Sequence, residues 1–286
     1  MDVLKYKKIA YSISIAIILV GIGMFFTRGF NLGIDFTGGT IITLNLNQYT
    51  STEDVKQTIN KYDENASIIH EGENKDTIII KSNKDLSNND INSLINDFRS
   101  QYGLSDNSYQ TEKFGPSMGS EIFKRAIISI LVAIICMLIY ISIRFQFNFG
   151  VAAIIALIHD CLIMTSLYLI LNIPVNSAFI AAILTILGYS INDTIVIFDR
   201  IREELHLNKK MKLDALVNKS IKATLRRTLY TTLTTLVAVL SLYIFGVDAV
   251  KELALPLIFG MIAGTYSTLF IASPIWYKME VKARSN

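Results

Sequence analysis

Six apolar blocks leave this chain few ways to fold: Ile9–Phe26, Ala126–Ile143, Phe149–Leu171, Val175–Phe198, Thr228–Phe245 and Leu253–Tyr277. Each is 18 to 25 residues long, enough at ~1.5 Å per helical residue to cross a hydrocarbon layer of ~30 Å. A soluble fold would have to cover six such helices with amphipathic partners, and the remaining sequence supplies none. Composition agrees, with 51% of residues hydrophobic, 18% charged and a mean hydropathy of +0.42. The fold class is therefore a polytopic α-helical membrane protein with six transmembrane helices. Lys5, Lys7 and Lys8 ahead of the first block imitate a signal peptide, but the exit FFTRGFN lacks an A-x-A-like cleavage site. That block reads as an uncleaved first span. Cys136 and Cys161 lie inside apolar blocks, as packing residues rather than a disulfide or a metal site.

Charge assigns the sides. With the N-terminus in the cytoplasm, six spans return the C-terminus there, and segments 1–8, 144–148, 199–227 and 278–286 face inward. Segment 199–227 holds Arg200, Arg202, Lys209, Lys210, Lys212, Lys219, Lys222, Arg226 and Arg227 against Asp199, Glu203, Glu204 and Asp214. Residues 29–120 carry seven basic and thirteen acidic groups, a net −6. This is the positive-inside pattern, so the overall +3 is no sign of nucleic-acid binding. Segment DRIREELHLNKKMKLDALVNKSIKATLRR is expected to form an interfacial helix pair.

The long loop after the first span has its own periodicity. Thr40–Asn47 alternates as a strand, and Val55, Ile59 and Tyr62 recur at helical spacing behind a cap at Ser51 or Thr52. Ala66–His70 and Asp76–Lys81 are short strands around the turn EGEN. Ile91, Leu94, Ile95 and Phe98 share a helix face, and YQTEKF supplies a final strand. The order β-α-β-β-α-β predicts an extracytoplasmic ferredoxin-like α+β domain over residues 29–120. It lies between 1–28, the N-terminus with helix 1, and 121–286, which carries helices 2–6. His70 and the acids here read as solvated surface. At the domain's start, NLGIDFTGGT is no phosphate loop, because no GK[ST] follows. Gly33, Gly38 and Gly39 suit a tight turn off the membrane, with Asp35 capping nearby N–H groups.

GIDFTGG after a first span, GYSINDTIVIFDRIRE at 188–203 and RRTLYTTLTT at 226–235 together resemble the SecF family of protein translocase subunits and its sister SecD. The layout is more distantly similar to half of a resistance-nodulation-division transporter. The resemblance covers essentially the whole chain. It implies a non-enzymatic auxiliary subunit of the Sec translocase in the bacterial plasma membrane, multi-pass, without cofactor or metal, using the proton motive force to assist export. It implies SecD as the partner completing a twelve-helix assembly, the SecYEG channel and YajC/YidC-type subunits as neighbours, and exported unfolded polypeptides as clients. No nucleic acid is implied. The rival readings are a proton-coupled small-solute or lipid exporter of the same superfamily and a non-conducting structural assembly subunit.

Polar groups inside apolar blocks are the candidate site. A carboxylate in hydrocarbon costs at least ~2.5 kcal/mol, so Asp193, beside Asn192 in the fourth span, must be protonated, paired or facing a hydrated cavity. It lies about 7 Å inside Phe198 along a helix, near the depth of Arg227 at the start of the fifth span. An Asp193–Arg227 pair is thus geometrically reasonable. A guanidinium favours the charged carboxylate and burial the neutral one, so changing their separation would move a proton. A structural lock between the spans is the bland alternative. The family resemblance implies the proton-coupling role. After Arg227, Thr228, Thr231, Thr232, Thr234 and Thr235 offer hydroxyls to a water-filled path. His159 and Asp160 in the third span form a second candidate, as a proton relay or as a packed polar contact. The small residues of Val20–Gly23 and Met261–Phe270 suit close helix packing, and Pro256 is expected to kink or shorten the last span.

Overall fold

The structure is a computed structural model that describes residues 3–72, 74–105 and 108–285. Glu73 of the EGEN turn and Asn286 of the tail, both used in the sequence reading, lie outside it with Met1, Asp2, Asp106 and Asn107. Helix α1 (Val3–Arg28) leads through a short turn, α2 (Ile34–Thr37), into a sheet domain. That domain comprises β1 (Gly39–Asn45), α3 (Thr52–Ile59), β2 (Ser67–Glu71), β3 (Thr77–Ser82), α4 (Asn88–Tyr102) and β4 (Tyr109–Phe114). The bundle follows with α5 (Pro116–Arg144), α6 (Phe147–Leu171), α7 (Ser177–Leu207), α8 (Leu213–Phe245) and α9 (Asp248–Ser267). A π-helical turn (Thr268–Ala272) and α10 (Ser273–Ser285) end the chain.

The sheet has the order β2-β3-β1-β4 with every neighbour antiparallel, which is the ferredoxin-like arrangement. Its two helices start where the sequence provides caps. Ser51 accepts from Asp54 N–H, and Ser87 and Asp90 form a reciprocal capping box. Ile42, Leu44, Ile78 and Ile80 from the sheet pack on Val55, Ile59, Leu94 and Phe98 from the helices. His70 departs from its expected place on a solvated surface. It is 5% exposed, its Nε2 lies 2.8 Å from the Thr50 carbonyl oxygen, and its backbone N–H donates to Asp248 Oδ2 at 3.3 Å. The domain sits on the bundle there, and Glu252 of α9 holds both Lys81 of β3 at 3.2 Å and Asn176 Nδ2 at 2.8 Å.

Six helices among the described residues are long and apolar enough to cross a membrane. The chain is a multi-pass membrane protein. Helices α6, α7 and the α9–α10 segment form the centre, with 44, 50 and 56% of their most apolar windows buried, against 11% for both α5 and α8. The last two therefore leave long apolar faces uncovered. Helix α5 begins at Pro116, inside the stretch expected to belong to the sheet domain. The interfacial helix pair does not form, because those residues extend α7 to Leu207 and start α8 at Leu213. The extension is held by Glu204, almost fully buried, which accepts from Lys219 Nζ at 2.7 Å and Asn208 Nδ2 at 2.6 Å and pairs with Arg200. Pro256 lies within α9, and the departure from α geometry comes later, at Thr268–Ala272. There Pro274 has no N–H for the Phe270 carbonyl, and Ser273 Oγ donates back to Thr268 O at 3.1 Å.

The GIDFTGG turn ties the sheet domain to the bundle. Gly33 N–H donates to Val175 O at 2.8 Å, Val175 N–H donates to Asn31 O at 2.8 Å, and Asp35 Oδ2 accepts from Ser177 N–H at 2.7 Å. Asp35 thus caps the N-terminus of α7. At Gly39 the backbone has φ +145°, and an added Cβ would lie 2.1 Å from the Ser82 carbonyl oxygen, so only glycine fits. Gly39→Ala should cost the sheet domain at least about 2 kcal/mol. Gly115→Ala, where the nearest atom is 3.8 Å away, weakens only the N-cap of α5 and should leave the β1 and β3 amides unchanged. Hydrogen exchange of the β1 and β3 amides in the full chain checks both.

Candidate functional site

Asp193 is 5% exposed and points into the seam between α7, α8 and α9, whereas Asn192 beside it is exposed. The Thr232 hydroxyl of α8 lies within hydrogen-bonding range of its carboxylate, and Arg227 is the cation that acts on it. Arg227 itself is exposed, and among the described residues no salt bridge within 4.0 Å joins the two. The guanidinium acts on the carboxylate from beyond ion-pair distance. Thr232 Oγ1 is 2.9 Å from Thr265 Oγ1 on α9, and Thr265 Oγ1 donates to Met261 O at 2.9 Å.

This hydroxyl chain suits both protonation states of Asp193. A protonated carboxyl donates to Thr232, which donates to Thr265, which donates to the Met261 carbonyl. An ionised carboxylate accepts from Thr232, which then accepts from Thr265. Only hydroxyl hydrogens rotate between the two arrangements. The hydroxyls expected to serve a path divide differently from the sequence reading. Thr231 and Thr234 are exposed and Thr235 half-buried, all three bonding to carbonyls of their own helix as Ser220 and Thr224 also do. The buried face of α8 instead carries Ser220, Thr224, Thr228 and Thr232, one turn apart, and Thr228 Oγ1 has no hydrogen-bond partner.

The second candidate pair sits on the other side of α9, among α1, α6 and α7. Asp160 of α6 is fully buried and accepts from Ser190 Oγ of α7 at 2.7 Å, with Ser267 of α9 also in range. His159 Nδ1 lies 3.1 Å from Asp160 Oδ1, and His159 Nε2 lies 2.8 Å from Ser14 Oγ of α1. Ser14 Oγ reaches Tyr266 OH at 3.3 Å, and Tyr266 OH donates to Ala10 O at 2.6 Å. With an imidazolium, every hydrogen in this row points from His159 toward Ala10. With a neutral ring that keeps its proton on Nδ1 toward Asp160, Nε2 accepts from Ser14 instead. An apolar groove of about 250 Å³, lined by residues of α1, α6 and α9, opens on His159, Ser14 and Tyr266.

One short stretch joins both pairs. Thr265, Tyr266, Ser267 and Thr268 follow one another in α9 and the start of the π-helical turn, about 100° apart around the axis. They reach α8, α1, α6 and α7 in that order, through Thr232, Ser14, Asp160 and Thr194, the last at 2.9 Å. Two glycines permit this closeness. A Cβ at Gly264 would lie 3.0 Å from Ser190, and one at Gly260 only 2.4 Å from Ile186. The sequence reading took this stretch for packing alone. The signal available there was hydroxyls on four consecutive residues of an apolar run, too many to share one face.

Comparison with known proteins agrees with this architecture. Residues 95–282 match the family model described as Protein export membrane protein SecD/SecF, C-terminal, and residues 23–49 match the SecD/SecF GG motif. The chain belongs to the SecD/SecF family. It is 34% identical over 284 residues to the protein translocase subunit SecF of Helicobacter pylori J99, covering 96% of this chain and 86% of that one. It is 38% identical over 273 residues to SecF of Desulfurispirillum indicum, covering 92% and 87%. Its fold is similar to the crystal structure of SecDF, a translocon-associated membrane protein from Thermus thermophilus, with a TM-score of 0.83 and 32% identity. The match covers all of this chain and 39% of that one, so the chain spans less than half of the SecDF polypeptide. The GG motif is the turn in which Asp35 caps α7 and Gly39 opens β1.

Replacing Tyr266 by Phe removes the bond to Ala10 and the contact with Ser14. Interhelical hydrogen bonds in membranes contribute about 0.6 kcal/mol, at most ~1.7, and the loss should fall in that range. Hydrogen exchange should rise most in α1 around Ala10 and to a smaller extent in α8 around Thr232.

Proposed function

We propose that this chain is an auxiliary subunit of the Sec translocase that assists protein export by coupling it to the proton motive force. Asp193 is the group that gains and loses the proton. The single observation that carries this reading is a carboxylate buried at membrane depth, set on a reversible hydroxyl chain, with its cation near but not in contact. When the α7–α8 seam closes, Arg227 approaches and Asp193 releases its proton. When the seam opens, the carboxyl is left in a low-dielectric site and takes one up. The buried hydroxyls of α8 lead from the loop end of the bundle toward Thr232, and the unpartnered Thr228 hydroxyl offers a place for water on that route.

The Asp160–His159 row is the second station, linked to the first through α9. Because α9 also carries Asp248 and Glu252 beneath the sheet domain, a shift of α9 tied to proton transfer reaches the domain that would meet the exported polypeptide. The uncovered faces of α5 and α8 suit a membrane partner, and the SecDF chain of Thermus thermophilus, much longer than this one, makes SecD the partner of choice. The basic loop end then faces the cytoplasm, with both termini on that side.

Membrane vesicles carrying the full translocase test the reading. Asp193→Asn and Arg227→Ala should assemble with the partner and keep ATP-driven export, but lose the gradient-dependent increment, by tenfold or more for Asp193→Asn. Normal gradient-dependent rates in both variants would leave the chain a structural subunit. Varying pH and sodium independently in the same assay identifies the ion.

A further inference from the structure

We propose that the bundle end opposite the sheet domain holds a binding site for the phosphate of an anionic phospholipid. Helix α5 leaves the sheet domain at Pro116 and reaches this end at Arg144, where α6 begins, α7 ends and α8 begins. A cavity of about 290 Å³ lies among α6, α7, α8 and α10, and Arg144 at the end of α5 flanks it through Arg202.

Its chemistry is one-sided. Arg144 and Arg202 both lie over the ring of Phe145, at 5.4 and 5.6 Å from its centroid. Arg202 also donates to the Arg144 carbonyl at 3.3 Å. Among the described residues, neither guanidinium has a carboxylate oxygen within 4.0 Å. Two like charges held over one ring without a counter-ion call for an anion from elsewhere. Arg202, Lys209 and Arg284 line the cavity, with Arg144 at its edge, and the one acid in the lining, Glu280, accepts from Arg284 Nε at 2.8 Å. Helices α6 and α8 both start at the cavity, behind Gln146 and Lys212, and neither start has a capping side chain. Their first-turn N–H groups therefore add to the pull on an anion.

The rest of the lining favours a lipid over a soluble phosphate. Phe149, Leu205, Leu213 and Leu216 make an apolar floor, and the cavity opens at the helix ends, where headgroups lie. Basic pockets between helices at that depth suit acidic headgroups.

The chain's single tryptophan reports on the site. Trp276 is fully buried and stacks on Phe149 at 4.6 Å. The full chain in lipid nanodiscs is titrated with acyl-brominated phosphatidylglycerol or phosphatidylcholine, and quenching of Trp276 is read. The expected result is preferential quenching by phosphatidylglycerol, falling about fivefold for each basic residue removed in Arg144→Gln and Arg202→Gln. Lys222→Gln, an exposed charge of α8 away from the cavity, should keep the full preference. Unchanged Trp276 emission in unbrominated lipid confirms folding of each variant. The proposal is overturned by equal quenching from both lipids, or by an undiminished preference in the double variant Arg144→Gln/Arg202→Gln. An equal loss in Lys222→Gln overturns it too, as does displacement of the lipid by millimolar glycerol phosphate, which would make the ligand a soluble one.

Discussion

A polar group inside a membrane bundle has no water to turn to, so each one must find its partner on another helix. In this chain that requirement converges on Thr265–Thr268, which reach α8, α1, α6 and α7 in turn. Four such bonds supply roughly 2–3 kcal/mol together, too little to hold a bundle of six long helices. What holds it is packing, and Gly260 and Gly264 let α9 lie directly on Ile186 and Ser190. The hydrogen bonds do something packing cannot. They fix the rotation of α9 relative to four neighbours at once, so a change at any one of them is felt by the other three.

That geometry explains why two carboxylates can sit so deep. Ser190 and Asp193 are one turn apart on α7, and the first bonds Asp160 while the second faces Thr232. Both acids meet hydroxyls, and both rows run through α9, the Asp193 row ending on Met261 O and the Asp160 row passing Tyr266 to end on Ala10 O of α1. The π-helical turn follows directly, at the point where Pro274 denies Phe270 its usual partner. Widened turns of this kind occur often at functional sites, and here the turn lets Thr268 face Thr194 while Trp276 still packs on Phe149. In the proposed mechanism the same helix passes proton-linked movement outward, since Asp248 and Glu252 at its other end hold His70 and Lys81.

Much of this was legible in the sequence, and the rest was hidden for physical reasons. Apolar blocks marked all six spans because burial in hydrocarbon demands length and composition alone. Strands and helices of the sheet domain followed from period, and Ser51, one of two candidate caps, marked the first helix start, whereas the Ser87 cap emerged only in the structure. The gap between Asp193 and Arg227 was not readable, since helix rotation is set by tertiary packing and a one-residue shift turns a side chain by about 100°. The role of Tyr266 was masked because small and hydroxyl residues in an apolar run serve close packing and hydrogen bonding alike. Glu204 misled in another way. It stood among the charges of a segment expected to form an interfacial helix pair, yet it is buried with Arg200, Lys219 and Asn208 as partners, and α7 continues to Leu207.

The account's central claim is that the ionisation of Asp193 and the spacing of α7 and α8 change together. Pulsed electron resonance between spin labels on the loop ends of α7 and α8, in lipid and across a pH series, measures this directly. Two distance populations that exchange with pH in the unmodified chain, frozen into one in Asp193→Asn, are the predicted result. A single distance at every pH, or the same pH response without the carboxylate, would contradict it.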